Sequence, residues 1–147
     1  MDAFNAHAAA LVSRIGDRTA VVGVIGLGYV GLPLALTFTQ AGFRVVGFDI
    51  DAAKTDAINA GESYFLHIPD EAVAAARAHG LEATIDFARA READALLICV
   101  PTPLTLFREP DLSFIINTVE SLLPHLRAGQ LIVLESTTYP GTTDEVV

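Results

Sequence analysis

Two short runs, residues 20–25, which are apolar throughout, and 43–48, which are almost wholly apolar, flank a stretch in which apolar positions recur at helical spacing. Continuous apolar runs suit parallel strands covered on both faces. The pattern between them predicts a helix over 29–40, with Pro33 in or near its first turn, where a missing N–H costs little, and Gly42 as its stop. Residues 51–60 read as a further helix, with Asp51 as N-cap and Gly61 as stop. After a loop, Pro69, Asp70 and Glu71 open an alanine-rich helix closed by Gly80. Residues 81–85 predict a short third strand, 94–100 a fourth and 130–134 a fifth. Between the last two, a loop stiffened by Pro101, Pro103 and Pro110 leads to a helix that Asp111 or Ser113 caps and that runs through Leu126, with Ile115, Val119, Leu122 and Leu123 on one face. Over residues 2–15, Phe4, Ala8, Leu11, Val12 and Ile15 share one side of a helix expected to pack ahead of the core.

Strands that alternate with helices imply right-handed crossovers and one parallel sheet. The expected fold is therefore α/β, a Rossmann-type doubly wound sheet of strand order 3-2-1-4-5 with helices on both faces. Residues 1–147 read as one domain.

The turn between the first strand and the first core helix carries Gly26, Gly28 and Gly31, a G-x-G-x-x-G spacing, and the second strand ends in Asp49. That layout fits a dinucleotide site. Gly26 allows the turn, Gly28 lets a pyrophosphate approach the backbone, and Gly31 lets helix and strand sit close. The N–H groups around Leu27, Gly28, Tyr29 and Val30, with the positive end of the helix, would hold the phosphates. Asp49 is placed to accept from the adenosine ribose hydroxyls. With Asp51 two residues on and no arginine beside it, a 2′-phosphate would meet two carboxylates, which favours NAD over NADP. Asp51 reads as a helix cap rather than a ligand, and Lys54 either reaches the ribose or stays solvated.

Charge then narrows the partners. The chain's 147 residues have a formal net charge of −9, which offers no basic field to nucleic acid or an anionic membrane. An anion must be held by local geometry. Residues 19–43 carry no charge and are long enough to suggest a membrane span, but glycines, Pro33 and the change from strand to helix spacing argue against one. No basic segment precedes an apolar core at the N-terminus, so it does not read as a secretory signal. The single cysteine, Cys99, fits a reducing, cytoplasmic setting.

Other candidates lie at strand ends. P-T-P, residues 101–103, follows the fourth strand at the switch point, where its prolines either turn Thr102 toward a cofactor or simply end the strand. Thr137 has the equivalent place after the fifth strand, where its hydroxyl positions a water or substrate or belongs to an ordinary turn. Cys99, inside an apolar strand, reads as an inert filler. His67 reads as a packed or exposed loop histidine, and no ligand cluster has metal-binding spacing. Thr142-Thr143-Asp144-Glu145 fits a capping box, a helix start that suggests a piece of a longer protein.

Taken together, G-L-G-Y-V-G-L-P-L-A, G-F-D-I-D, I-C-V-P-T-P-L and L-E-S-T-T-Y-P-G-T-T resemble the UDP-glucose/GDP-mannose dehydrogenase family, over residues 20–147. S-Y-F-L-H-I-P-D-E and R-E-P-D-L-S look most like its UDP-N-acetylglucosamine 6-dehydrogenase branch. The resemblance implies oxidation of a sugar C6 hydroxymethyl to a carboxylate with two NAD. It implies that Asp49, Ile50 and Lys54 hold the adenosine ribose side, that Val100, Pro101 and Thr102 line the cofactor, and that Thr137 helps order a catalytic water. In the family the attacking cysteine, its lysine and asparagine helpers and most of the UDP-sugar site lie further along the chain, and the parent is expected to be a homo-oligomer. The 147 residues alone are then expected to bind NAD without completing the oxidation. Another NAD-dependent dehydrogenase, a methyltransferase and a stand-alone NAD-binding or sensor module are the rival readings, with V-P-T-P and E-S-T-T-Y-P-G speaking against another dehydrogenase.

Overall fold

The computed structural model describes residues 3–147. Five strands, β1 (Val21–Ile25), β2 (Arg44–Phe48), β3 (Leu81–Thr84), β4 (Ala95–Ile98) and β5 (Leu131–Leu134), form one sheet in the order β3-β2-β1-β4-β5. Every pairing is parallel. This is the expected doubly wound sheet, and its order reverses between β1 and β4, where such sheets open a crevice beyond their carboxyl ends.

Alternation along the strands divides the core in two. Val22, Val24, Val45, Leu97 and Cys99 face one layer, which is completed by helices α2 (Gly31–Gln40), α3 (Ala52–Ala60) and α4 (Asp70–Ala78). Ile25, Val46, Phe48, Leu96 and Ile98 face the other, covered by α5 (Ser113–Leu122) and a 3-10 turn over Phe87–Glu92 that the sequence pattern does not signal. The uncharged stretch over 19–43 resolves into β1 and α2, and no helix among the described residues is long and apolar enough to cross a membrane.

Caps follow from local chemistry. The Asp51 carboxylate accepts from Ala53 N–H at 2.9 Å, and Gly61 closes α3 in the left-handed region. The Asp111 carboxylate accepts from Ser113 N–H, although Leu112 is the residue that flanks α5.

Four expectations need correction. The N-terminal helix α1 (Ala3–Gly16) forms, with Asp2, its expected first position, outside the described residues. Its apolar face is not packed. Phe4 is 78% and Val12 69% exposed, and α1 is held by polar contacts instead. Arg14 pairs with Asp94, which is buried at the entry to β4 and also accepts from Arg127 and from Val21 N–H. An amphipathic stripe shows that an apolar face exists, not that the fold covers it.

The helix expected to run through Leu126 ends as α-helix at Leu122 and tightens into a 3-10 turn over Leu123–His125. Leu123 keeps right-handed helical dihedrals at φ −47° and ψ −45°, but Pro124 has no N–H with which to continue the i→i−4 ladder. Leu123 is exposed, while Ile115 and Leu122 are buried. The core helix begins at Gly31, not Tyr29, so residues 28–30 remain a turn. Finally, Thr142 is the first residue of the short helix α6 (Thr142–Glu145), not its cap. Gly141, at φ 94°, occupies the cap, and the Thr142 hydroxyl turns back to donate to Tyr139 C=O.

Candidate functional site

A cavity of about 720 Å³ opens at the carboxyl ends of β1, β2, β4 and β5. Its floor is the glycine turn. Gly26 has φ 89°, and a side chain there would also press against the Cys99 carbonyl, so the first glycine is required twice over. At Gly31 an added Cβ would lie 1.6 Å from the Gly26 carbonyl oxygen, which is how α2 comes to rest directly on the turn. At Gly28 an added Cβ would meet nothing within 4 Å. The middle glycine faces open space.

Backbone donors face the same space. Among the described residues nothing accepts from the N–H groups of Gly28, Tyr29 and Val30. Leu27 differs from the expectation. Its N–H donates to Asp49 Oδ2 at 2.9 Å and its side chain is fully buried, so it braces the turn rather than offering a donor to a phosphate. Its place in the core is made by Gly47, where a Cβ would lie 2.9 Å from the Leu27 side chain.

Asp49 joins the two halves of the motif. Besides Leu27 N–H, its carboxylate accepts from Asp51 N–H at 2.9 Å and lies 3.6 Å from Lys54 Nζ. A carboxylate has about four lone-pair sites, so acceptor capacity remains for ribose hydroxyls. Lys54 is neither free nor remote from the site, because it sits between Asp49 and the ring of Tyr64. Ile50 is 83% exposed beside them and lines the cavity.

The opposite wall comes from the loops after β4 and β5. Val100, Pro101 and Thr102 line it, as does Thr137. The Thr102 hydroxyl donates to Thr137 C=O at 2.7 Å, and the Ser136 hydroxyl donates to Val100 C=O at 2.7 Å, so the two loops are laced together. The Thr137 hydroxyl has no partner among the described residues.

Cys99 borders the cavity, but burial first and the Glu135 charge second raise its thiol pKa to about 11. At neutral pH it is a neutral thiol, a poor nucleophile. His67 is exposed and packs against aromatic rings. No group of three or more His, Cys, Asp or Glu among the described residues is placed to hold a metal.

The sequence reading missed one wall. Phe114, Asn117, Thr118 and Ser121 of α5, with Phe87, also line the cavity. The 114, 117/118, 121 spacing is a helical face, and it was legible beside the apolar face of the same helix. The arrangement fits a dinucleotide: a glycine left open where a pyrophosphate would come closest, N–H donors around it that have no acceptor among the described residues, and an acid held at the end of β2.

Comparison with known proteins agrees with this geometry. Residues 20–147 match the NAD binding domain of the UDP-glucose/GDP-mannose dehydrogenase family. The chain is 40% identical over 131 residues to the UDP-N-acetyl-D-mannosamine dehydrogenase of Escherichia coli K12, an alignment covering 86% of this chain and 30% of that protein. It is 37% identical over 124 residues to the UDP-N-acetyl-D-glucosamine 6-dehydrogenase of Salmonella typhi, covering 84% of this chain and 28% of that one. Among solved structures it is similar to a ternary complex of GDP-mannose dehydrogenase from Pseudomonas aeruginosa, with a TM-score of 0.80 and 30% identity over 86% of this chain and 30% of the other. The chain thus spans about 30% of the length of the curated relatives it matches.

Proposed function

The chain belongs to the UDP-glucose/GDP-mannose dehydrogenase family through its NAD-binding domain, and from that membership we propose how these residues hold NAD and which reaction the whole protein performs. The N–H groups of Gly28, Tyr29 and Val30, with the N-terminal end of α2 and the close packing at Gly31, receive the pyrophosphate. Asp49 accepts from the adenosine ribose hydroxyls, with Ile50 and Lys54 beside it. Val100, Pro101 and Thr102 line the nicotinamide side. Thr137, whose hydroxyl has no partner among the described residues, orders a water there. NAD, when bound, accepts a hydride from the substrate carbon. NADP is disfavoured because its extra phosphate would approach the carboxylates of Asp49 and Asp51. The open space at Gly28 carries this reading.

For the whole protein the proposed reaction is oxidation of the C6 hydroxymethyl of a UDP-N-acetylhexosamine to a carboxylate, with two NAD consumed. Relatives named for N-acetylmannosamine and N-acetylglucosamine stand at 40% and 37% identity. The S-Y-F-L-H-I-P-D-E and R-E-P-D-L-S stretches favour UDP-N-acetylglucosamine. The whole protein is read as a cytoplasmic homo-oligomer that makes a uronic acid nucleotide for polysaccharide assembly, with its attacking cysteine and most sugar contacts outside these 147 residues. Cys99 is unsuited to that role, because its thiol stays protonated.

The experiment is NADH production by the full-length protein with UDP-N-acetylglucosamine, UDP-N-acetylmannosamine and UDP-glucose in turn. Two NADH per UDP-N-acetylglucosamine consumed is expected. Turnover confined to UDP-N-acetylmannosamine corrects the sugar, and no turnover of any nucleotide sugar rejects the reaction.

A further inference from the structure

Residues 63–69, S-Y-F-L-H-I-P, lie outside the cavity lining yet grip the glycine turn from behind. The Tyr64 hydroxyl donates to Leu27 C=O at 2.5 Å, and Leu27 N–H donates to Asp49 Oδ2 at 2.9 Å. Leu27 is therefore fixed at its nitrogen, its oxygen and its buried side chain. The peptide between Leu27 and Gly28 is planar and trans, so its C=O and N–H point in opposite directions. Drawing the oxygen toward Tyr64 turns the Gly28 N–H away from the 63–69 loop. The N–H has no partner among the described residues, and Gly28 opens onto empty space.

The grip extends to the next residue. The Phe65 ring lies 4.6 Å from that of Tyr29, and the His67 ring is parallel to Tyr29 at 6.2 Å. The loop is itself braced. Ser63 N–H donates to the Asp70 carboxylate at 2.7 Å, Phe65 N–H donates to the Ser63 hydroxyl, and Ile68 is buried in the core. Burial, then the charges of Asp49 and Asp51, hold the Tyr64 hydroxyl well above the ordinary tyrosine range, so it remains a donor at any working pH.

We propose that Tyr64 is a positioning residue for the cofactor's pyrophosphate, pinning the Leu27–Gly28 peptide so that the Gly28 N–H faces the phosphate. This rests on the reading that the pyrophosphate lies at Gly28. A hydroxyl that pre-orients a donor lowers the cost of ordering the turn on binding. Its effect is confined to ligands that carry the pyrophosphate.

The test is Tyr64→Phe in the 147-residue chain, titrated with NAD, ADP-ribose and adenosine, with the apo melting temperature recorded alongside. Loss of one neutral hydrogen bond predicts NAD and ADP-ribose weakened by about 3- to 10-fold, with adenosine within about twofold of wild type. Unchanged NAD affinity overturns the proposal, and so does an equal loss for adenosine and ADP-ribose, which marks general loosening. Gly28→Val separates the two failures. If it leaves ADP-ribose binding intact, the pyrophosphate lies elsewhere and the site reading falls with the proposal. If it abolishes binding while Tyr64→Phe has no effect, the positioning role alone is wrong.

Discussion

The backbone N–H of Leu27 donates to Asp49 Oδ2 at 2.9 Å, tying the turn after β1 to the end of β2 across 22 residues of sequence. The acid expected to face a ribose is thus also a structural brace. Removing it acts twice. Asp49→Ala deletes charge-assisted hydrogen bonds worth ~1.5–3 kcal/mol each, and NAD is expected to bind about 10- to 100-fold more weakly. It also leaves the N–H groups of Leu27 and Asp51 without their acceptor, so the apo protein should melt several degrees lower. Calorimetry and thermal melting read the two effects separately. Unchanged affinity removes Asp49 from the site.

The three glycines of the turn predict unlike outcomes. Gly31→Ala forces a Cβ to within 1.6 Å of the Gly26 carbonyl oxygen, a backbone clash relieved only if the turn or α2 shifts. Overpacking of this kind costs ~1–3 kcal/mol or more. Gly28→Ala meets nothing within 4 Å and should stay within about 1 kcal/mol of wild type. Urea unfolding of both variants checks this, and equal destabilisation would contradict the packing described.

A pH effect follows from the charged cluster at the entry to β2. Arg89 donates two hydrogen bonds to the Glu92 carboxylate, Arg44 adds a third, and together they lower the Glu92 pKa from 4.5 to about 2. A carboxylate with a depressed folded-state pKa contributes stability that is present above its unfolded pKa and lost on acidification. Wild type should therefore lose its advantage over Glu92→Gln as pH falls from about 4.5 through about 2. The carboxylate is 31% exposed, so salt should shrink the difference. Denaturant midpoints across that range test it, and a gap that widens on acidification would contradict the assignment.

Parts of this site are written locally and parts are not. β1, β2 and β4 are legible because a strand covered on both faces must be almost wholly apolar, and Gly26 and Gly31 because close backbone approach admits no other residue. Asp51 as a cap is legible from one side chain and the helix behind it. The Tyr64 hydroxyl on Leu27 C=O joins positions 37 residues apart, and no periodicity encodes such a meeting. The exposed face of α1 escapes for a related reason: its spacing records an apolar stripe but not what lies opposite. At Thr142 a plausible capping sequence yields to Gly141, whose positive φ starts the turn one residue earlier.

The central claim is that the cofactor's pyrophosphate rests on the backbone at Gly28. Calorimetric titration of the chain with NAD, in wild type and in Gly28→Val, tests it most directly. The account predicts saturable binding to wild type and at least about 100-fold weaker binding to a variant that melts like wild type, since the added side chain occupies the phosphate's place. Equal affinity for the two proteins would contradict it.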